Sequence, residues 1–344
     1  MSGGVDSSVA AALLHEQGHA CVGVTLHLWD ASGESKVGRC CAPEDREDAR
    51  RTCDALGIPH YVIDEREAFR ATVVDPFVKG YAAGATPSPC VACNQHVKLG
   101  RLARLADALG CERIATGHYA RTDGGGLLRG ADVRKDQSYF LFGVPDAILA
   151  RLVFPVGHLD KPRVREEGRR LGVPNWDKRD SQELCFVPDG DVAGFVERQG
   201  ARGAAGALKD EEGRELARHE GVHRFTVGQR RGLGLGGGPP RYVLKVLPST
   251  GDVVVGPEPG LYARALRATG VRWIGTDTPQ GPFEADLQIR HHHAPARARI
   301  ELDTKGGFVA RFLEPQRAVA RGQAAVVYDG DRVIGGGVIE GAVE

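Results

Sequence analysis

No surplus of charge marks this sequence. Its 344 residues carry 45 basic and 45 acidic side chains, a formal charge of zero, so the chain as a whole exerts no electrostatic pull on nucleic acid or membrane. It lacks any run of the ~20 apolar residues that a membrane span requires. No basic stretch followed by a cleavable apolar core opens it, and a cytoplasmic protein is expected. Cysteine is sparse, eight in all, too few for a disulfide scaffold. In a reducing compartment they read as buried, metal-binding or catalytic. Lysine is outnumbered by arginine, 9 against 36, and with alanine and glycine abundant that ratio reads as codon bias. No repeat of fixed period occurs.

What is present is alternation. Val9, Leu13 and Leu14 recur at helical spacing between Ser7 and Gln17, with Gly18 as a stop. ACVGVTLHLW (20–29) reads as a strand, Pro43 opens a charged helix that closes at Gly57, and HYVID (60–64) reads as a second strand. One helix is expected from Glu65 to Ala83, another from TPSPCVACN to Gly110, then a strand through 112–116. Such alternation implies a doubly wound parallel α/β sheet over about residues 1–150, with basic helical segments continuing to about residue 180. Near residue 195 the chain turns small and polar (GARGAAGALKDEEG). Short strand candidates follow, among them RYVLKVL, GDVVVG, FVARFL and QAAVVYDGDRVIGGGVIE. They suggest a small β-rich domain and then a barrel. The expected domains are 1–195, 196–262 and 263–344.

Residues 2–8, SGGVDSS, admit a bland reading as a helix N-cap with two spare glycines. A chemical reading uses every residue. Gly3 and Gly4 let backbone approach an anion, Ser2, Ser7 and Ser8 offer hydroxyls, and the following helix adds its dipole. No lysine follows, as it would in a Walker A loop, which suits a cradle for pyrophosphate. Such a loop ordinarily hangs from a strand, and only Met1 precedes it, so the sheet is expected to lack its first strand. Asp6 could cap the helix or hold Mg²⁺; spacing does not separate the two.

TPSPCVACN (86–94) places Cys90 and Cys93 at a helix start, where the dipole favours thiolate. Cys185 follows in DSQELCFV, while Cys21, Cys40, Cys41, Cys53 and Cys111 read as small core residues. The CxxC could be a redox pair or half a zinc site, but no second CxxC or HxxxH completes the latter. His291–His293 beside Arg290 read as a solvated or nucleic-acid-facing patch. Two basic stretches stand out: Lys161–Arg179, with seven cations against three acids (+7 − 3 = +4), and Gly221–Thr250, with five cations and no acid. Both suit RNA phosphates.

SGGVDSS, TPSPCVACN, ATGHYA (115–120), KDQSYFLFG (135–143), FPVGHLDKPRVR (154–165), DSQELCF (180–186) and FTVGQRRGLGLGG (225–237) occur in this order. Together they resemble the tRNA-specific 2-thiouridylase family, PP-loop ATP pyrophosphatases that place sulfur on the wobble uridine of tRNA. The likeness covers nearly the whole chain. It implies a PP-loop domain, a small central β-rich domain and a C-terminal β-barrel. It implies ATP held by Ser2, Gly3, Gly4, Val5, Asp6, Ser7, Ser8 and Val9, with Leu26 and Gly117. The uracil 2-oxygen would be adenylated with Mg²⁺ in attendance.

By the same resemblance Cys93 would be the nucleophile and Cys185 the bearer of a persulfide supplied by a cysteine desulfurase or sulfur-relay protein. The two would end as a disulfide. Lys135, Asp136, Gln137, Arg290 and His291 would touch tRNA, and Ser88, Pro89 and Cys90 would border the flipped base. Some family members carry Asp where this chain has Cys90, and often Tyr where it has His291. Cys90, Cys93 and Cys185 could instead hold a [4Fe–4S] cluster; the persulfide route is preferred. A monomer is expected. Two rival readings remain: another PP-loop adenylating enzyme, amidotransferase-type or tRNA lysidine synthetase, or a non-catalytic tRNA-binding protein.

Overall fold

The computed structural model describes residues 1–30, 43–179, 184–187, 189–275 and 278–343. Cys40 and Cys41, and residues 180–183 of the DSQELCF motif, lie outside the described residues. The chain divides into two compact units. One gathers Met1–Val73, Cys90–Asp191 and Asp331–Val333; the other gathers Val74–Pro89, Val192–Gly330 and Ile334–Glu344.

In the first unit, helix α1 (Val5–Glu16) is followed by strand β1 (Gly23–His27), helix α2 (Pro43–Leu56), strand β2 (His60–Asp64) and the short helix α3 (Arg66–Phe69). Val5, Val9 and Ala12 recur along one face of α1 and bury against Tyr119, Val156, Val164 and Val173. β1 and β2 run parallel, Gly23 opposite His60 and His27 opposite Asp64, with α2 as the crossover that a parallel pair requires. A second parallel pair joins Ile114–Ala115 to Leu152–Val153. The expected doubly wound sheet is therefore present as two separate parallel pairs. Met1 runs beside β1: its amino group donates to Val24 O (2.5 Å), and Thr25 Oγ1 donates to Met1 O (2.8 Å).

The single helix expected over 65–83 runs without interruption from Arg66 to Ala82, with one π-helical turn inside it. α3 gives way to a π-helical turn, Arg70–Val74, and then to a helix over Asp75–Ala82. Pro76 has no N–H to return to the preceding turn, and a widened turn absorbs the misfit. The boundary between the two units falls within this turn, between Val73 and Val74.

The second unit packs the Asp75–Ala82 helix on the Val192–Arg198 helix through Phe77, whose ring meets Tyr81 at 4.8 Å and Phe195 at 6.4 Å. A four-stranded sheet orders Glu215–His219, Gly206–Lys209, Asp252–Gly256 and Tyr242–Leu247 around a core of Leu208, Val222, Phe225, Val243, Val253 and Val255. Six further strands, from Tyr262–Trp273 to Arg332–Val343, close into a barrel because the first and last of them pair. Leu266, Leu287, Ile300, Phe308 and Val327 fill it without exposure. The glycine run in the last strand has a steric reason. A Cβ on Gly335 would lie 2.4 Å from Arg272 O on the neighbouring strand. No helix among the described residues is long and apolar enough to cross a membrane.

Candidate active site

The Ser2–Ser8 turn is internally braced. Ser2 N–H donates to Ser7 Oγ (3.1 Å), Gly4 N–H to Ser2 Oγ (3.4 Å), and the Ser7 hydroxyl to Gly4 O (3.1 Å). Gly3 sits at φ +74°, and a Cβ there would lie 2.0 Å from Asp45 O, so only glycine fits. α1 begins at Val5 with Gly4 as its N-cap and no side-chain capping bond. The bland reading of a Ser or Asp cap is not realised, and the first-turn N–H groups keep their capacity for an anion. ATGHYA delivers Gly117 onto this helix start: a Cβ on Gly117 would lie 2.5 Å from Ser7 N.

Both flanks of the loop are clamped. Asp6 Oδ1 accepts from Tyr119 OH (2.8 Å) and Lys161 Nζ (2.7 Å). On the other side Asn175 Nδ2 (2.9 Å) and Lys178 Nζ (3.1 Å) donate to Gly3 O, and Lys178 also pairs with Asp45 and Asp48 at 2.5 Å each. Buried Ser8 accepts from Thr52 Oγ1 (3.3 Å), Val9 lies in the core, and Leu26 is half-buried on β1. Next to Gly117, His118 Nδ1 shares a hydrogen bond with Thr116 Oγ1 (2.9 Å). Burial, aided by the Lys98 charge, pushes its pKa down to about 3, so the imidazole is neutral. Lys98 is the last residue of the turn that Cys93 begins.

Cys93 is buried at the head of a π-helical turn, Cys93–Lys98, entered from the short helix Pro89–Ala92. That turn packs on α3. Cys90 and Cys185 are half-buried. Phe186, next to Cys185, sets its ring on Phe69 of α3 (5.8 Å between centroids) and on Trp29 beyond β1 (6.4 Å). The segments that carry Cys93 and Cys185 thus both lean on α3, within one unit. Of the other cysteines expected in the core, Cys53 is buried and Cys21 and Cys111 are half-buried.

The residues expected at tRNA fall in several places. Lys135 is half-buried, whereas Asp136 is buried. Asp136 Oδ1 accepts from the N–H groups of Gly130 (2.9 Å) and Ser138 (3.0 Å), and Oδ2 from Ser138 Oγ (2.9 Å) and Arg129 Nη1 (3.0 Å). Gln137 Oε1 accepts from Tyr119 N–H (3.0 Å). Ser88 and Pro89 belong to the second unit and Cys90 to the first. In the second unit Arg290 Nη1 donates to Arg317 O (2.9 Å), and the His291 and His292 rings lie 3.7 Å apart.

Of the two basic stretches, the first is largely spent on internal contacts. Arg163 pairs with Glu166 (2.7 Å), Arg170 with Glu16 (2.6 Å) and Glu167 (2.7 Å), and Arg165 donates to the carbonyls of Trp176 (3.2 Å) and Lys178 (2.7 Å). The second exposes Arg230 and Arg231 on a glycine-rich loop. Gln229 braces that loop by accepting from Thr226 N–H (3.0 Å) and donating to Arg231 O (2.9 Å).

Three family models match successive parts of the chain. Residues 1–189 match the model of the tRNA methyl transferase HUP domain, 194–257 the tRNA methyl transferase PRC-barrel domain, and 263–339 the aminomethyltransferase beta-barrel domain. The tRNA-specific 2-thiouridylase MnmA of Sorangium cellulosum is 51% identical over 100% of this chain and 91% of its own length. The proteins of that name from Koribacter versatilis (45%, covering 98% and 97%) and Chloroflexus aggregans (46%, covering 98% and 96%) are similar throughout. The chain belongs to the tRNA-specific 2-thiouridylase family. The NMN synthetase of Francisella tularensis overlays 59% of this chain and 76% of its own at a TM-score of 0.34 and 21% identity, a likeness too slight to bear on function.

Residues Ser2 to Ser7 of this 2-thiouridylase family member form one braced turn with Gly117 against it, and sequence spacing gives no sign of the clamps around it. Lys161, Tyr119, Asn175 and Lys178 stand inside or beside quoted motifs, but their basic neighbourhood suggests an RNA face. Mg²⁺ on a nucleotide needs only one or two protein carboxylates besides the phosphates, and Asp6 at the loop edge fits that need. Among the described residues, no group of three or more His, Cys, Asp or Glu is placed to hold a metal. Cys90, Cys93 and Cys185 do not form such a group there.

Proposed function

We propose that this chain performs the ATP-dependent 2-thiolation of the wobble uridine of tRNA. The observation that carries the reading is the joint placement, in one unit, of a clamped SGGVDSS loop and the segments bearing Cys93 and Cys185, both leaning on α3. Residues Ser2 to Val9, with Leu26 and Gly117, hold ATP so that backbone N–H groups of the loop and of the α1 start face its phosphates. Asp6 would help the phosphates hold Mg²⁺, which when bound would supply neutralisation of the charge on the departing pyrophosphate. The uracil 2-oxygen attacks the α-phosphorus, pyrophosphate leaves, and C2 now bears AMP as a leaving group.

Sulfur reaches Cys185 as a persulfide from a cysteine desulfurase or a relay protein. The Cys93 thiolate attacks the Cys185 Sγ, the Sγ–S bond breaks with its electron pair, and hydrosulfide is released as the Cys93–Cys185 disulfide forms. Hydrosulfide adds at C2 and AMP departs with the former 2-oxygen. A dithiol reductant then restores both thiols.

Lys135, Gln137, Arg290 and His291 meet the tRNA. Asp136, whose carboxylate is already engaged on both oxygens, acts by fixing the Lys135–Gln137 turn. Ser88, Pro89 and Cys90 border the extruded base. The protein works as a cytoplasmic monomer. The rival nitrogen-transferring PP-loop enzymes have no use for two cysteines so disposed. The test incubates the chain with unmodified tRNA, ATP, Mg²⁺ and a cysteine desulfurase with cysteine, and reads 2-thiouridine by nucleoside mass spectrometry. Its formation is expected, and its absence with a competent donor overturns the reading.

A further inference from the structure

Cys185 stands between surface and core. It is half-buried itself, but the two residues after it are sunk, Phe186 at 3% exposure and Val187 at 1%. The Phe186 ring meets Phe69 edge-on, with centroids 5.8 Å apart and planes at 71°. It meets Trp29 at 6.4 Å and 63°, and Trp29 meets Phe69 at 6.4 Å. These rings come from three places in the chain: the end of β1, the end of α3, and the segment carrying Cys185. α3 in turn packs on the turn that begins with Cys93. One peptide unit therefore separates the Cys185 backbone from a three-ring cluster whose central helix touches the Cys93 segment.

We propose that Trp29, Phe69 and Phe186 form an aromatic socket that positions Cys185 for sulfur transfer. This rests on the reading of Cys93 and Cys185 given above and deepens it. None of the three rings touches the reacting atoms; they are positioning residues. Attack by the Cys93 thiolate on Cys185 Sγ needs the attacking, central and leaving sulfurs nearly in line, a geometry that a misplacement of about 1 Å can spoil by ~100-fold. Edge-to-face ring contacts are directional where aliphatic contacts are not. They fix where the Cys185 backbone sits while leaving its sulfur reachable by a donor. Loading tolerates a loosely held cysteine, because the donor brings its own geometry. Transfer within the chain does not.

The test uses the full chain with Phe186→Leu, Phe186→Ala and Trp29→Leu. Each variant is loaded with ³⁵S from a cysteine desulfurase, then mixed with tRNA, ATP and Mg²⁺ for a single turnover. Phe186→Leu keeps apolar bulk and stays folded if the alanine variant does not. The expected result is transfer slowed ~10- to 100-fold in Phe186→Ala and several-fold in Phe186→Leu and Trp29→Leu. Persulfide loading and the KM values for ATP and tRNA stay within about twofold, and iodoacetamide alkylates Cys185 faster. Transfer within twofold of the parent in every folded variant overturns the socket. If Cys185→Ala still makes 2-thiouridine, the functional reading itself fails; if Cys185→Ala is inactive while the ring variants transfer normally, only the socket fails.

Discussion

Lys161 and Asp6 meet at 2.7 Å across 155 residues of sequence. The ammonium is carried by the first residue of the Lys161–Arg170 helix, and the carboxylate lies inside the phosphate loop, where Tyr119 OH reaches the same oxygen. A loop without a lysine of its own is thus held by one from far along the chain.

Removing that lysine leaves a half-buried carboxylate with one donor fewer. Lys161→Met should weaken ATP binding ~10-fold or more and cost about 1–3 kcal/mol of stability. Equilibrium nucleotide binding and urea unfolding check the two effects separately.

Gly117 is a steric requirement. With a Cβ 2.5 Å from Ser7 N and 2.6 Å from the Asp6 carbonyl carbon, Gly117→Ala must push the loop away from the Thr116–His118 segment. ATP-dependent AMP formation should fall ~100-fold while far-UV circular dichroism and tRNA affinity persist.

His118 makes stability depend on pH in a stated direction. Its folded pKa, lowered by burial to about 3, lies below the ordinary 6.5, so the unfolded chain takes up the proton first as pH falls. The contribution is whole above pH 6.5 and is lost between 6.5 and 3. Between pH 7 and pH 5 the parent should lose roughly 2 kcal/mol more stability than His118→Gln, measured by urea unfolding at the two pH values.

Arg230 and Arg231 are the exposed cations of the braced glycine-rich loop. Changing either to alanine should weaken tRNA binding uniformly across sequences and lower the salt slope of log K by about 0.7–0.9. Filter binding over a series of KCl concentrations reads this directly, with kcat at saturating tRNA unchanged.

Much of this was legible beforehand because it is local. The strand at 60–64 and the helix opened by Pro43 depend on neighbours in sequence, and the structure keeps them; the first helix, expected from Ser7, begins two residues earlier at Val5. The helix expected over 65–83 is kept from Arg66 to Ala82 but widens into a π-helical turn ahead of Pro76, and the same turn geometry recurs at Cys93–Lys98. Spacing alone gives no sign of a π-helical turn. Cations at 161–179 suggested an RNA face because charge is visible in sequence but its partner is not. Glu16, Asp6, Asp45 and Asp48, far away in sequence, claim Arg170, Lys161 and Lys178. The Trp29, Phe69 and Phe186 cluster was hidden for the same reason.

The central claim is that Cys93 and Cys185 act on one activated uridine. Its most direct measurement is nucleoside mass spectrometry of tRNA after reaction with the parent, Cys93→Ala and Cys185→Ala, each given ATP, Mg²⁺ and a cysteine desulfurase with cysteine. The account predicts 2-thiouridine from the parent and a loss of at least ~1000-fold in each variant, as expected when a covalent catalytic group is removed, with tRNA-dependent pyrophosphate release retained. Parental yields of 2-thiouridine from either alanine variant would contradict it.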